Sequence, residues 1–284
     1  MRTVESIADC RAAIAEVRGG GRRIGFVPTM GALHEGHLSL LDFARERSDH
    51  IVASVFVNPL QFAPGEDFER YPRDLAGDAR LLESRGTDLL FAPATAEMYP
   101  GGADVTVKAG RLAADWEGRI RPGHFDGVLT VVAKLFNIVQ SDVSVFGQKD
   151  LQQVQLIRAM VRDLDFATEI VVAPTVRDDG GLALSSRNRY LRESERGSAL
   201  ALSKALRAIH VAYEGGERDI ALLEQAGHGI LLRTPGIRID YLAVVELDTF
   251  RRPARLERAG AAIGAIRVGN TRLIDNVLLG NADF

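Results

Sequence analysis

Residues 23–37, RIGFVPTMGALHEGH, join a continuous apolar run to a turn that contains glycine and histidine. The run RIGFVPT predicts a buried strand, and a helix is expected from about Gly36 to Arg47. Continuous apolar strands are typical of parallel sheets that are covered on both faces. In such open sheets, ligands bind where a strand ends and turns into the next helix. This stretch therefore predicts both an α/β fold and the position of a binding site.

The alternation of strands and helices continues to about residue 172. Further strands are predicted at 51–57, 88–92, 143–146 and 169–172, with helices at 75–84, 123–139 and 151–163. This order indicates right-handed crossovers and predicts a Rossmann-like, doubly wound parallel sheet. After Pro174 two helical stretches and then three strand-like runs predict a smaller α+β domain. The expected domains are therefore residues 1–175 and residues 176–284.

Composition excludes several classes of protein. The chain has 284 residues, of which 46% are hydrophobic and 26% charged, as in ordinary globular domains. Its net charge of −3 argues against generic nucleic-acid binding, and the single cysteine, Cys10, excludes an internal disulfide. No targeting segment and no membrane-spanning apolar run is evident. We expect a cytoplasmic protein with neither a nucleic-acid nor a membrane partner.

The turn PTMGALHEGH offers groups that bind phosphate. Gly31 and Gly36 permit close approach of the backbone, and a helix N-terminus favours anions. His34 and His37 are three residues apart, so both rings lie on one face of the first helical turn. Both imidazoles are then positioned to donate hydrogen bonds to a triphosphate. A pair of structural turn histidines and a metal site are the alternatives, and the strand–turn–helix context favours phosphate over both.

Two later segments carry similar chemistry. In FGQKD, at 146–150, Gly147 gives access to the backbone, Lys149 is a compact positive charge for phosphate oxygens, and Asp150 is a candidate acceptor for a ribose hydroxyl. In LSSR, at 184–187, two hydroxyls and a guanidinium form a candidate polyphosphate clamp. The alternative for LSSR is a helix N-cap, a role that serine favours.

Five segments resemble, in order and spacing, the pantothenate synthetase (pantoate–β-alanine ligase) family of the HxGH nucleotidyltransferase superfamily. They are PTMGALHEGH, VFVNPLQF at 55–62, RPGHFDGVLTVVAKLF at 121–136, FGQKDLQQ at 146–153 and LSSRNRYL at 184–191. The resemblance covers nearly the whole chain; Leu184 stands where the family often has methionine. It implies a ligase that condenses pantoate with β-alanine, using ATP, to give pantothenate, AMP and pyrophosphate through a pantoyl-adenylate.

Two other functions stay open at this point. One is an adenylyltransferase of the same superfamily that acts on a phosphorylated acceptor. The other is a nucleotide-sensing or RNA-binding module, against which the acidic charge balance argues.

The resemblance also implies roles for particular residues. The implied ATP-binding residues are Met30, Gly31, Ala32, Leu33, His34, Glu35, Gly36, His37, Gly147, Gln148, Lys149, Asp150, Val176, Leu184, Ser185, Ser186 and Arg187. The implied catalytic residues are His34, His37, Lys149 and Arg187, with His37 as a proton donor. The implied residues for pantoate and β-alanine are Met30, Asn58, Gln61 and Gln153, since neutral amides hold a hydroxy acid without adding charge.

Further expectations concern the metal, the lid and the assembly. ATP chemistry implies Mg²⁺, and Asp78 is the predicted ligand, with Asp74 as second choice. His124 is a candidate substrate contact. The loop Phe62–Tyr71, which contains proline and glycine, is placed to act as a lid that excludes water. The resemblance implies a homodimer.

Overall fold

The computed structural model describes residues 1–280 and shows two compact units. The first contains residues 1–147 and 152–173, and the second contains residues 148–151 and the described residues from Pro174 onward. The second unit thus takes in Gln148–Leu151, which the sequence had placed in the first domain. The last four residues of the predicted second domain lie outside the described part. The domain boundary at 175/176 stays a prediction.

The first unit is built on a six-stranded parallel sheet with flanking helices. Its strands are β1 (Arg2–Val4), β2 (Ile24–Thr29), β3 (His50–Val55), β4 (Leu89–Phe91), β5 (Val143–Gly147) and β6 (Glu169–Ala173). Its helices are α1 (Ile7–Gly19), α2 (Glu35–Arg45), α3 (Leu75–Ser84), α4 (Thr95–Met98), α5 (Glu117–Ile120), α6 (His124–Val139) and α7 (Leu151–Asp163). The predicted Rossmann-like, doubly wound sheet is confirmed.

The strand order places β2 at the point where the direction of winding reverses. The order is β1-β4-β3-β2-β5-β6, so the chain proceeds from β2 to β3 on one side and returns to β5 on the other. Ile24, Phe26 and Val27 of β2 are fully buried, as expected of a central strand. The carboxyl end of β2 therefore lies at the topological switch point, where open α/β sheets bind ligands.

Helix α6 and the turn that follows β3 approach each other closely in this unit. The 3₁₀ turn Pro59–Gln61 lies against α6 at Gly127. A Cβ atom at Gly127 would lie 2.2 Å from the carbonyl oxygen of Leu60 and 2.4 Å from its carbonyl carbon. Glycine is therefore required for this approach of helix to turn.

The second unit is a three-stranded antiparallel sheet with helices. Its elements are α8 (Glu193–Ala199), α9 (Ala201–Glu214), α10 (Ile220–Leu231), β7 (Ile237–Glu246), β8 (Gly260–Val268) and β9 (Thr271–Leu279), with strand order β7-β8-β9. The first of the two predicted helical stretches, expected at about 193–214, consists of two helices, α8 and α9, which are separated at Leu200; Leu200 itself keeps near-helical dihedral angles. Among residues 1–280 no helix has the length and apolar character that crossing a membrane requires.

Candidate active site

The two histidines of HxGH lie together where β2 leads into α2. His34 is the N-cap residue of α2, and the backbone N–H of His37 donates to the carbonyl oxygen of His34 at 2.8 Å. Their ring centroids are 4.1 Å apart and the rings are tilted by 37°. The chain thus brings two imidazoles to the N-terminus of a helix at the switch point of the sheet. Imidazoles and backbone N–H groups in this arrangement suit an anion such as a polyphosphate.

A buried carboxylate holds the turn before these histidines. Gly31 and Ala32 have φ values of +79° and +53°, so the turn contains a left-handed stretch. The carboxylate of Asp78 in α3 accepts from the backbone N–H groups of Ala32 at 2.9 Å and Leu33 at 2.8 Å. A Cβ atom at Gly31 would lie 2.7 Å from the same carboxylate. Glycine is thus needed at position 31 for its positive φ and for space.

These contacts bear on the predicted magnesium ligands. Asp78 is only 4% exposed, and each of its carboxylate oxygens already accepts a backbone N–H. Asp74 caps α3 by accepting from the backbone N–H of Gly77 at 2.9 Å. In the described part of the chain, no three His, Cys, Asp or Glu side chains come together to hold a metal ion. Magnesium needs only one or two protein carboxylates, so magnesium binding by Asp78 stays a prediction.

The amides predicted to hold the acid substrate form a buried chain of hydrogen bonds. Asn58 donates from Nδ2 to Oε1 of Gln61 at 3.1 Å, and Nε2 of Gln61 lies 3.0 Å from the sulfur of Met30. Asn58 is 1% exposed and Gln61 is 8% exposed. Three of the four residues predicted for the acid and amine substrates therefore form one chain of contacts within the first unit.

The fourth, Gln153, follows a glutamine with a structural role. Gln152 accepts from the backbone N–H of Glu117 and donates to the carbonyl oxygens of Leu112 and Asp115. Gln152 therefore fixes the segment before α5. Gln153 is half-buried on the first turn of α7. The substrate role of Gln153 stays a prediction.

The loop predicted as a lid is tied by an ion pair to the segment just before α6. Glu66 binds Arg121 through two hydrogen bonds, of 2.7 and 2.6 Å. Arg121 also donates to Nε2 of His124 at 3.0 Å, so Nδ1 of His124 donates to the carbonyl oxygen of Gln61 at 2.9 Å. Burial, and then the positive charge of Arg121, lowers the pKa of His124 to about 4. His124 is therefore a neutral imidazole. It connects the lid loop to the hydrogen-bonded residues Asn58, Gln61 and Met30, which we call the amide chain.

The second unit carries the other predicted phosphate-binding groups. Gln148 and Lys149 lie on a 3₁₀ turn whose backbone carbonyl oxygens both accept from Nδ2 of Asn276 in β9, each at 3.0 Å. Nε2 of Gln148 donates to Oδ1 of Asn276 at 3.0 Å. Lys149 lies 3.8 Å from the carboxylate of Asp150. Asn276 thus holds the segment that presents Lys149.

The LSSR segment begins a 3₁₀ helix, Ser186–Tyr190. The hydroxyl of Ser185 accepts from the backbone N–H of Arg187 at 3.3 Å, so the N-cap interpretation of this segment is correct for Ser185. The backbone N–H of Leu184 donates to the carbonyl oxygen of Val176 at 2.9 Å. Arg177 also pairs with Ala183 in an antiparallel bridge, and an ion pair between Arg177 and Asp275, with bonds of 2.6 and 2.9 Å, links this segment to β9. The phosphate-binding roles of these residues stay predictions.

Comparison with known proteins decides the family. Residues 2–278 match the model of the pantoate-β-alanine ligase family. This chain belongs to that family. Pantothenate synthetase of Acidobacterium capsulatum is 52% identical over 99% of this chain and 97% of its own length. The crystal structure of pantothenate synthetase from Thermus thermophilus has a TM-score of 0.92 at 50% identity, covering 98% of this chain and 99% of that one.

A third relative of this ligase family was crystallised with ligands. The pantoate-β-alanine ligase of Francisella tularensis has a TM-score of 0.82 at 34% identity and covers 99% of both chains. That protein is described as complexed with β-γ ATP and β-alanine.

Several residues that hold predicted site residues in place, within one unit or the other, are missed by sequence reasoning. Asp78 is singled out for a metal and not for holding the histidine turn. Three further residues are not singled out at all: Glu66, Asn276, and Tyr99, whose hydroxyl lies 2.9 Å from Oδ1 of Asn58. Asn276 contacts residues more than 120 positions away, so no local pattern indicates its role. For Arg121 a signal exists, because it begins the segment RPGHFDGVLTVVAKLF at 121–136, one of the five segments that carry the family resemblance.

Proposed function

We propose that this chain joins pantoate to β-alanine, with ATP converted to AMP and pyrophosphate through a pantoyl-adenylate. The observation that carries the proposal is the close pair of His34 and His37 at the end of β2 in a chain that matches the pantoate-β-alanine ligase family over residues 2–278. The complex described for the Francisella tularensis ligase supports ATP and β-alanine as ligands.

In the first half-reaction, a carboxylate oxygen of pantoate attacks the α-phosphorus of ATP and pyrophosphate leaves. Phosphoryl-type transfer needs little covalent help from the protein, so positioning and charge neutralisation dominate. His34 and His37 donate hydrogen bonds to the phosphates, and His37 acts as proton donor. Lys149 and Arg187 neutralise the charge that develops on pyrophosphate, with the hydroxyls of Ser185 and Ser186 as further donors. Asp150 accepts a hydrogen bond from a ribose hydroxyl. The other predicted ATP contacts lie in the HxGH turn, in the FGQKD turn, and at Val176 and Leu184.

The acid substrate is held by uncharged groups. Gln61 and Gln153 bind the hydroxyl and carboxylate oxygens of pantoate, Asn58 holds Gln61 in place beneath it, and Met30 offers apolar surface to the methyl groups of pantoate. The contacts of Asn58, Gln61 and Met30 with one another support this assignment. Because amides carry no charge, they do not compete with the carboxylate that must react.

In the second half-reaction, the free amine of β-alanine attacks the acyl carbonyl of the adenylate. The new C–N bond replaces the bond to the phosphate oxygen, the amine loses a proton, and AMP leaves. Water must be excluded, because the mixed anhydride hydrolyses. The loop Phe62–Tyr71 closes over the intermediate. The ion pair between Glu66 and Arg121 ties this loop to the segment before α6, and Phe62 packs against Phe68 within the loop, with centroids 5.3 Å apart; both contacts support a loop that can be held in place.

Three further properties belong to the proposal. Magnesium accompanies ATP, held mainly by phosphate oxygens and water, as is usual for this ion. The protein acts in the cytoplasm. It forms a homodimer, for which the family resemblance is the support, and light scattering on the purified protein measures its mass.

One assay tests the function. Pyrophosphate and AMP are measured with ATP and pantoate, in the presence and absence of β-alanine. Pyrophosphate formation that requires pantoate, together with AMP release that requires β-alanine, supports the ligase. AMP transfer to a phosphorylated acceptor, with no dependence on pantoate, would refute it.

A further inference from the structure

Tyr99 contacts the amide chain of the first unit from outside every motif. It directly follows α4 and is 8% exposed. Its ring packs against Phe56, with centroids 6.1 Å apart, and Nζ of Lys134 lies 5.6 Å from its centroid. Its hydroxyl lies 2.9 Å from Oδ1 of Asn58. Because the ring is buried and packed, the hydroxyl of Tyr99 is held in a fixed position against Asn58.

Two backbone groups fix the orientation of the Asn58 amide. Oδ1 of Asn58 accepts from the backbone N–H of Leu60 at 3.3 Å, and Nδ2 donates to the carbonyl oxygen of Gly127 at 3.1 Å. A backbone N–H can only donate and a carbonyl oxygen can only accept, so the two ends of the amide are assigned without ambiguity. The hydroxyl of Tyr99 faces an acceptor and must donate. Burial raises the pKa of Tyr99, so the hydroxyl keeps its proton.

The fixed orientation of the Asn58 amide in turn fixes the orientation of the Gln61 amide. The second N–H of Asn58 Nδ2 points to Oε1 of Gln61 at 3.1 Å, so that end of Gln61 is the acceptor. The other end, Nε2, has two N–H groups and lies 3.0 Å from the sulfur of Met30, which is a weak acceptor. Gln61 therefore presents hydrogen-bond donors on the side of Met30.

We propose that Tyr99 is a positioning residue that, through Asn58, holds Gln61 with its amide N–H groups directed at the acid substrate. The N–H groups of Gln61 then select a substrate oxygen that accepts a hydrogen bond, such as a carboxylate or hydroxyl oxygen. A substrate group that only donates hydrogen bonds is disfavoured at the same point. This inference rests on the proposed function for the identity of the acid. It goes beyond that function because it assigns the polarity of the subsite and the residue that sets it.

A double-mutant cycle tests whether Tyr99 acts through Gln61. Tyr99→Phe keeps the ring and removes one neutral hydrogen bond, so the KM for pantoate should rise about fivefold while the KM for ATP is unchanged. In a Gln61→Leu background the same substitution should change the pantoate KM by less than about 1.5-fold, because the group it orients is gone. An equal rise in both backgrounds would show a merely structural role and overturn the proposal.

A second measurement needs no substrate. In protein labelled with ¹⁵N-glutamine, the side-chain amide signals of Gln61 are assigned by their loss in Gln61→Leu. They should shift in Tyr99→Phe and stay in place in the matched control Tyr213→Phe, a tyrosine of α9. Unchanged Gln61 signals in Tyr99→Phe overturn the proposal. A wild type that forms no pantothenate instead refutes the proposed function, and the amide signals still decide the role of Tyr99.

Discussion

At the scale of single residues, a substitution of Asp78 tests whether its carboxylate supports the backbone of the turn before His34 or binds a metal ion. Asp78→Asn replaces one acceptor oxygen by an NH₂ group that faces a backbone N–H, so the turn before His34 loses a charge-assisted hydrogen bond. We expect a loss of about 1–3 kcal/mol in the free energy of unfolding, measured by urea denaturation. We also expect slower pyrophosphate formation that added Mg²⁺ does not restore. Recovery of the rate at high Mg²⁺ would instead identify Asp78 as a magnesium ligand.

A second prediction concerns the positive charge of Lys149, which is proposed to neutralise the leaving pyrophosphate. Lys149→Ala removes a positive charge proposed to act on the leaving pyrophosphate, which should cost roughly 3 kcal/mol, or ~10²-fold, in the rate of adenylate formation. The exposed Lys204 of α9 is the matched control, and Lys204→Ala should leave the rate unchanged. Circular dichroism establishes that both variants are folded. A folded Lys149→Ala protein with the wild-type rate would remove Lys149 from the mechanism.

His124 makes stability depend on pH. Its pKa is lowered to about 4 in the folded protein, whereas an unfolded histidine titrates near 6.5. Between these values the unfolded chain binds more protons, so stability falls as the pH decreases. From pH 7 to pH 5 this one group should lower the unfolding free energy by about 2 kcal/mol.

Denaturation of wild type and His124→Gln at both pH values measures this contribution. His50, whose pKa burial also lowers, remains in both proteins, so the difference between them isolates His124. An equal pH dependence in the two proteins would mean that the imidazole of His124 takes up a proton as easily as in the unfolded chain.

At the scale of elements, the approach of α6 to the turn Pro59–Gln61 sets the position of the amide chain. Gly127→Ala would place a Cβ atom 2.2 Å from the backbone oxygen of Leu60, so helix and turn must move apart. We expect a loss of about 1–3 kcal/mol in stability and a higher KM for pantoate.

A matched glycine variant controls for helix propensity. Gly197 lies within α8, and a Cβ atom there would meet no atom within 4 Å. Gly197→Ala should therefore stabilise the protein by roughly 0.4–1 kcal/mol and leave KM unchanged. If both substitutions had the same effect on KM, close packing at Gly127 would not control the site.

Local patterns predict the elements well and the supports of the site poorly. The helices α3 and α7 have the predicted bounds, because apolar spacing and turn residues are local signals. The three-residue strand β1 is too short to show a period, and it was not predicted. The pairing of His34 and His37 follows from their spacing. The role of Asp78 does not, because it depends on a hydrogen bond across 46 positions of the chain.

At the scale of the whole molecule, the reaction calls for an activated acid that is never attached to the protein. Cys10 is fully buried in α1, and burial raises the pKa of its thiol to about 11, so it is a poor nucleophile. With ATP and pantoate but no amine, we expect a burst of pyrophosphate equal to the number of active sites, while AMP stays bound as the mixed anhydride until β-alanine is added. Cys10→Ala should retain the burst, and mass spectrometry of the denatured protein should show no added acyl or adenylyl mass. A stable adduct on any side chain that passes the acyl group to β-alanine would replace the adenylate with a covalent mechanism.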